Sequence, residues 1–216
     1  MDSMYSMVRF FVSGGPFMYP ILIVFSVGIA IAVERYTTLT MVRRRNDGMW
    51  SKLEPALASG DFEKARKMAN EDDSTVARLL SMGLARQGAV RRREDIEIAM
   101  EESMMEIIPQ LEKRTGYIAL GASIATLLGL LGTIMGMIEA FTAVANANPA
   151  EKADLLSASI SVAMNTTAFG LIAAIPLLVT HSVLTAKTGE IVDSLEMASV
   201  KALNVITSLA KRQISV

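Results

Sequence analysis

Three long stretches of the chain contain no Asp, Glu, Lys or Arg, namely Phe10–Val33, Gly116–Ile138 and Leu155–Ala186. Each is longer than the roughly 20 residues that an α-helix needs to cross the hydrocarbon core of a membrane. Between the first two stretches, apolar and charged residues alternate at helical spacing, with breaks at 59–61, 71–74 and 87–88 and a helix cap at Asp61. The pattern predicts an all-α membrane protein with three transmembrane helices and a separate helical domain.

The positive charges orient the predicted spans. Of the 21 Lys and Arg residues, 15 lie between Glu34 and Thr115 and four follow Ala186. Because segments rich in Lys and Arg stay on the cytoplasmic side, we expect the N-terminus on the outer side of the membrane and the C-terminus in the cytoplasm. The predicted segments are a periplasmic N-terminus (1–15), transmembrane helix 1 (16–41), a cytoplasmic helical domain (42–114), transmembrane helix 2 (115–145), a short periplasmic turn (146–154), transmembrane helix 3 (155–186) and a cytoplasmic C-terminal helix (187–216).

Composition narrows the chemistry that the chain can carry. Of its 216 residues, 51% are hydrophobic and 20% are charged, which fits a membrane protein with a sizeable polar part. The chain has no Cys and one His, so thiolate sites and multi-histidine metal sites within one chain are excluded. Charges in the middle segment balance at fifteen acidic and fifteen basic residues, which disfavours a nucleic-acid partner. Without a nucleophile–base set, we expect neither an enzyme nor a cofactor.

A stripe of small residues follows one face of the second span at steps of three and four positions. Its members are Ala119, Ala122, Ser123, Thr126, Gly129, Thr133, Gly136 and Ala140. Small residues let transmembrane helices approach closely, and this ordinary explanation accounts for the glycines and alanines. The residues that we assign to helix packing are Gly129, Gly132 and Gly136 of this span, and Gly170 and Pro176 of the third span.

Hydroxyl and amide groups add polarity to the second and third spans. Thr126 and Thr133 lie on the small-residue stripe, although a threonine in a helix can also bond a carbonyl one turn back. In the third span, Asn165 shares a face with Ser161, and its amide is costly in lipid unless protein or water supplies partners. The outer half of the third span is therefore predicted to pack against other helices or to line a wet cavity.

Counting from the short turn between spans two and three predicts that two threonines lie at one level. Thr133 and Thr167 are seventeen residues either side of Ala150, so antiparallel helices bring them to similar depth. A ring of such pairs would form a polar belt in an apolar channel. No ionisable residue lies in the middle of any span, so a proton-conducting complex would need a titrating carboxylate from a partner.

Several segments resemble the MotA/TolQ/ExbB proton-channel family, and the ExbB/TolQ-like branch in particular. They are LLGLLGTIMGMIEAF (127–141), NTTAFGLIAAIPLL (165–178), PQLEKRTGYIALGA (109–122) and the Glu34-Arg35 pair at the end of the first span. The resemblance implies a homo-oligomeric ring, a pentamer, around a central lumen that holds a dimer of a single-span ExbD/TolR/MotB-like partner. It also implies a bacterial inner membrane, whose lipid would surround the ring.

The same resemblance implies a function. A membrane aspartate of the partner would bind and release protons, and proton flow would turn the ring against the core. That work would energise TonB- or Tol-type transport, other envelope processes or gliding-type motility. Thr133 and Thr167 match the lumen threonines of the family. The residues predicted to form the proton pathway are Thr133, Thr167, Asn165, Thr126 and Ser161.

One position departs from the family pattern. Many ExbB/TolQ sequences place a glutamate five residues before the second threonine, where this chain has Val162. Protons then use Ser161, Asn165 and the threonines, or follow a different route. The alternative function is a non-conducting membrane scaffold that oligomerises and stabilises a partner. A scaffold would tolerate loss of hydroxyls but not bulky residues at Gly132 or Gly136.

Overall fold

All regular structure in the described part of the chain is α-helical. The computed structural model describes residues 10–86 and 93–214, so the predicted break at 87–88 and the first residues of the predicted periplasmic N-terminus lie outside it. A helical turn at residues 10–13 comes first. The helices that follow are α1 (Met18–Ala58), α2 (Phe62–Asn70), α3 (Thr75–Arg86), α4 (Arg93–Glu112), α5 (Thr115–Asn146) and α6 (Lys152–Ile214).

Three helical segments are long and apolar enough to cross a membrane, judged by length and composition. They are Met18–Ala58, Arg93–Ala145, which covers α4 and α5, and Lys152–Ser208. The prediction of an all-α membrane protein with three spans is thereby confirmed. Helices α1 and α6 extend well beyond their apolar parts, because a helix makes its backbone hydrogen bonds internally and need not end where the lipid ends.

The described residues form two compact units. The first unit comprises residues 10–34 and Arg114–Leu184, and the second unit comprises residues 35–113 and 185–214. In the first unit the buried side chains are mostly small, while large ones such as Leu127 and Ile138 are more than half exposed. Such a surface of exposed large apolar side chains is typical of helices that are covered by lipid or by other chains.

The second unit has an ordinary apolar core, with Leu53, Leu79 and Ile107 fully buried. Its turns follow the sequence prediction. Asp61 caps α2, since its carboxylate accepts a hydrogen bond from the Lys64 amide at 3.1 Å. At the next break, the hydroxyl and amide of Ser74 hold the pKa of the exposed Asp72 carboxyl below its ordinary value.

A buried asparagine connects α1 to the start of α3 in the second unit. The Asn46 side chain is 4% exposed, and its Oδ1 accepts hydrogen bonds from the Thr75 hydroxyl at 2.9 Å and the Val76 amide at 3.2 Å. The first amides of a helix have no partner within the helix. Asn46 therefore supplies from a distant helix the acceptor that the first turn of α3 needs.

Asn46→Ala is expected to destabilise the protein by about 1–3 kcal/mol, because it leaves the buried Val76 amide without an acceptor. For a chain of this length, that loss lowers the melting temperature by roughly 2–4 °C per kcal/mol. Thermal unfolding of the purified protein in detergent measures the change. Asn70→Ala is the control, because Asn70 is exposed and its side chain bonds no described residue; equal melting temperatures for the two variants would contradict the capping role.

Candidate functional site

Helices α5 and α6 of the first unit approach until their backbones touch. A β-carbon added to Gly170 would lie 2.7 Å from the Ala125 carbonyl oxygen and 3.1 Å from the Gly129 Cα. A β-carbon added to Gly129 would lie 3.3 Å from the Cα atoms of Gly170 and Thr167. The absence of side chains at both glycines is what allows this crossing.

Two further glycines of α5 receive side chains from α6. A β-carbon on Gly132 would collide with the Thr166 side chain, and one on Gly136 would lie 2.8 Å from the Ala163 Cβ. Pro176, the fifth residue assigned to packing from the sequence, is exposed on this chain within an uninterrupted α6. The glycines of both helices thus lie on one contact face, and Pro176 lies outside it.

The two threonines at the level of this crossing meet directly. The Thr133 and Thr167 hydroxyls contact each other, which confirms the predicted match in depth. Thr167 Oγ1 also lies 3.0 Å from the Gly129 carbonyl and 3.4 Å from the Ala163 carbonyl. Thr133 Oγ1 lies 3.3 Å and 3.5 Å from the same two oxygens.

This group of four oxygens has more acceptors than protons. Each hydroxyl supplies one proton and can accept through two lone pairs. With two hydroxyls between two carbonyls, either hydroxyl can donate to a carbonyl or to its neighbour. Both side chains are only partly buried, so a hydroxyl at the edge of this pair can also exchange hydrogen bonds with water or with a group from another chain.

The neighbouring Thr166 faces a different part of the unit, and sequence reasoning missed it. Its side chain is 2% exposed, and its hydroxyl donates to the Gly14 carbonyl while lying 3.0 Å from the Val162 carbonyl. Successive residues of a helix point about 100° apart. A second glycine one turn after Gly129, at Gly132, was the signal in the sequence that another side chain of α6 packs against α5.

The remaining candidates for the proton pathway lie apart from the threonine pair. Asn165 is two residues from Thr167, hence about 200° around the helix, and its amide donates to the Ser13 hydroxyl at 3.2 Å. Ser161, one turn earlier, is exposed. Thr126 is exposed and donates to the Ala122 carbonyl one turn back at 3.1 Å. Of the five candidates, the structure brings together only Thr133 and Thr167.

The segment before α1 covers part of the N-terminal half of α6. Phe11 packs edge-on against Phe169 with ring centroids 5.6 Å apart. Gly15 adopts a positive φ of 77°, and a β-carbon there would lie 3.2 Å from Val162. Val162, the position at which the family pattern has a glutamate, therefore lies beside this loop.

Charged residues of the first unit lie at its ends. At the end of the first apolar stretch, Glu34 and Arg114 form an ion pair at 3.7 Å between partly exposed side chains. Such a pair contributes little to stability. The described residues contain no group of three or more His, Cys, Asp or Glu side chains placed to hold a metal ion. Titratable chemistry at the threonine pair therefore has no source among the described side chains of this chain.

More than half of the chain matches a known protein family. The model of the MotA/TolQ/ExbB proton channel family matches residues 71–197, which is more than half of the chain. The chain belongs to the MotA/TolQ/ExbB family. The matched segment contains both threonines and the whole contact between α5 and α6 from Ala125 to Gly170. It does not contain α1 or the loop that covers Val162.

Individual relatives fall in the ExbB/TolQ branch of the MotA/TolQ/ExbB family. A biopolymer transport protein ExbB homolog of Methanothermobacter thermautotrophicus is 26% identical over 194 residues, covering 89% of this chain and 67% of that protein. The Tol-Pal system protein TolQ of Haemophilus influenzae is 34% identical over 93 residues, 43% of this chain and 40% of TolQ. The biopolymer transport protein exbB1 of Vibrio cholerae is 47% identical over 53 residues, 24% of this chain and 23% of that protein.

Membership of the MotA/TolQ/ExbB family establishes the general class of the chain. It is a multi-pass membrane protein of a proton-channel type that energises transport. Members of the ExbB/TolQ branch work with partner proteins in membrane complexes.

Proposed function

We propose that this chain is the ring subunit of a proton-driven motor in a bacterial inner membrane. Copies of the chain, forming a pentamer, surround a dimer of a single-span partner of the ExbD/TolR/MotB kind. Protons pass between the partner's membrane aspartate and the hydroxyls of the ring. The resulting rotation drives TonB- or Tol-type transport, another envelope process or gliding-type motility.

The contact between the Thr133 and Thr167 hydroxyls is the observation that carries this proposal. A hydroxyl can accept one proton while it donates another, which suits a relay to a carboxylate. The spans of this chain contain no Asp, Glu, Lys or Arg in their middle parts, whereas a protein that moves protons alone is expected to have an ionisable group there. A partner with an aspartate at this depth supplies what is missing.

The proposed topology follows from the charge distribution. We place the N-terminus (1–15) and the turn (146–154) in the periplasm, and residues 42–114 and 187–216 in the cytoplasm. The spans are residues 16–41, 115–145 and 155–186. The density of Lys and Arg between the first and second spans supports this orientation.

We propose different roles for the other candidate residues. The contact between α5 and α6 depends on Gly129, Gly132, Gly136 and Gly170. The short distances from a β-carbon added at each of them to atoms of the facing helix support this. Thr126 and Ser161, both exposed on this chain, face the lumen or a neighbouring copy. Asn165 acts through the loop at Ser13, and Pro176 meets a neighbouring helix or lipid. With Val162 beside Gly15, protons do not enter by a carboxylate at that position.

Proton flux into vesicles tests the function. The chain alone is expected to conduct no protons above background, and the chain produced together with its partner is expected to conduct them. The partner is sought as a short single-span protein that is encoded by the neighbouring gene or that copurifies with the tagged chain. Proteoliposomes with an imposed membrane potential and an internal pH-sensitive dye give the rate. Replacing the partner's membrane aspartate by asparagine should abolish the flux without preventing assembly.

Two results would contradict the proposal. Equal proton flux with and without the partner would mean that the chain has its own pathway. A complex that assembles but conducts no protons under any potential would instead support the non-conducting scaffold.

A further inference from the structure

A basic and aromatic groove lies on α1 at the end of the first predicted span, within the second unit. It is a cavity of about 430 Å³. Its lining residues are Tyr36, Thr37, Thr40, Met41, Arg44 and Arg45. They form two rows of residues four positions apart, which are neighbours on a helix surface. Along each row the side chains change from apolar or hydroxyl-bearing to positively charged.

The apolar part of the groove is exposed. Tyr36 is 53% exposed and Met41 is 58% exposed. In water, exposed apolar side chains that line one groove are costly, whereas tyrosine is enriched at the level of lipid headgroups because it has an apolar ring and a polar hydroxyl. Both residues lie at the end of the segment predicted to cross the membrane.

The polar part of the groove carries positive charge that the second unit offsets only in part: after the hydrogen bonds from Ser74, Arg45 also contributes to the lowered pKa of the Asp72 carboxyl. Arg43 is paired with Glu190, but Arg44 forms no ion pair within the described part of the chain. Lys187 of α6 adds a further cation. Its Nζ lies 4.0 Å from the centre of the Tyr36 ring and donates a hydrogen bond to the Thr40 hydroxyl. These contacts fix the ammonium group beside the groove.

We propose that this groove binds the headgroup of an anionic phospholipid in the cytoplasmic leaflet. The phosphate lies among Arg44, Arg45 and Lys187, and the glycerol and upper acyl chains cover Tyr36 and Met41. A free phosphate ion would satisfy the cations but would leave the two exposed apolar side chains in water. An amphiphile satisfies both parts of the groove.

The test is native mass spectrometry of the purified full-length protein in detergent, titrated with phosphatidylglycerol or with phosphatidylcholine of the same acyl chains. We expect phosphatidylglycerol to bind more tightly. One basic residue near a membrane surface contributes about fivefold to the affinity for anionic lipid. Arg44→Gln with Arg45→Gln should therefore weaken phosphatidylglycerol binding by about 30-fold and leave phosphatidylcholine binding unchanged.

The matched control is Arg66→Gln with Lys67→Gln. It removes the same charge from two exposed residues of α2 and should leave the affinity unchanged. Lys187→Gln, on a different helix, should weaken binding about fivefold and keeps the test decisive if the double variant of α1 fails to fold. Melting temperatures of all variants identify any that are unfolded.

Three results would overturn the assignment. Equal affinity for the two lipids would show that the groove does not distinguish an anionic headgroup from a zwitterionic one. Equal loss in the α1 and α2 double variants would show a general charge effect. Displacement of bound phosphatidylglycerol by inorganic phosphate at about its cellular, millimolar concentration would assign the site to a free anion.

Discussion

Thr167→Val is expected to lower proton flux through the complete complex by at least roughly 100-fold, the lower end of the range for loss of a positioned proton-transfer group. Valine has nearly the shape of threonine, so α6 keeps its packing. The substitution removes the hydroxyl that contacts Thr133 and lies 3.0 Å from the Gly129 carbonyl. Single hydrogen bonds between membrane helices contribute only about 0.6 kcal/mol on average, so assembly should be unaffected. Flux is measured in the vesicles described above, and assembly by size-exclusion chromatography of the complex.

Two variants distinguish a proton-transfer role from a packing role. Thr167→Ser restores the hydroxyl and should conduct. Thr180→Val is the matched control on the same helix, because the Thr180 hydroxyl bonds only the Pro176 carbonyl one turn back, at 2.8 Å. Normal flux from Thr167→Val would rule out a direct role of this hydroxyl, and equal losses in Thr167→Val and Thr180→Val would show that the effect is not local.

A double variant tests whether the two hydroxyls act as one unit. Groups that contact each other and serve one step are not additive when they are removed together. Thr133→Val with Thr167→Val should therefore reduce flux by about the same factor as either single variant. Multiplied losses in the double variant would mean that each threonine works on a separate path.

The features that the sequence predicted correctly depend on local rules. Charge-free stretches longer than a membrane is thick specify three spans, since lipid excludes charge whatever the tertiary packing. The meeting of Thr133 and Thr167 required only a constant rise per residue and a short turn between the helices. Asp61 as a cap depends on its contact with the Lys64 amide, only three positions along the chain. Each of these conclusions needs information from one segment or from two segments joined by a turn.

The features that the sequence did not predict depend on contacts between distant segments. Asn165 was placed with the threonine pair because it is a polar residue of the same span as Thr167, but Ser13 and Gly14 provide partners for Asn165 and Thr166 on another side of α6. Nothing in a single sequence indicates that a loop 152 positions away covers that side. The capping of α3 by Asn46 was missed for the same reason.

Gly170→Ala is expected to destabilise the protein by about 1–3 kcal/mol, the usual cost of adding a group to a filled interior. The new β-carbon would lie 2.7 Å from the Ala125 carbonyl oxygen and 3.1 Å from the Gly129 Cα. Both neighbours are backbone atoms that cannot rotate away, and Gly129 already lacks a side chain whose removal could make room. The helices must therefore separate. Thermal unfolding in detergent, followed by circular dichroism, measures the loss.

Gly189→Ala on the same helix should have the opposite sign. A β-carbon at Gly189 meets no atom within 4 Å, and alanine at an unhindered helical position stabilises a protein by about 0.4–1 kcal/mol. Equal effects of the two substitutions would show that helix propensity, and not the crossing with α5, determines the requirement at Gly170. If the crossing with α5 determines the requirement for glycine at position 170, Gly170→Ala should also lower proton flux. The reason is that separating α5 from α6 moves the Thr167 hydroxyl away from Thr133. A complex of Gly170→Ala that is destabilised but conducts normally would disconnect the packing of these helices from the threonine pair.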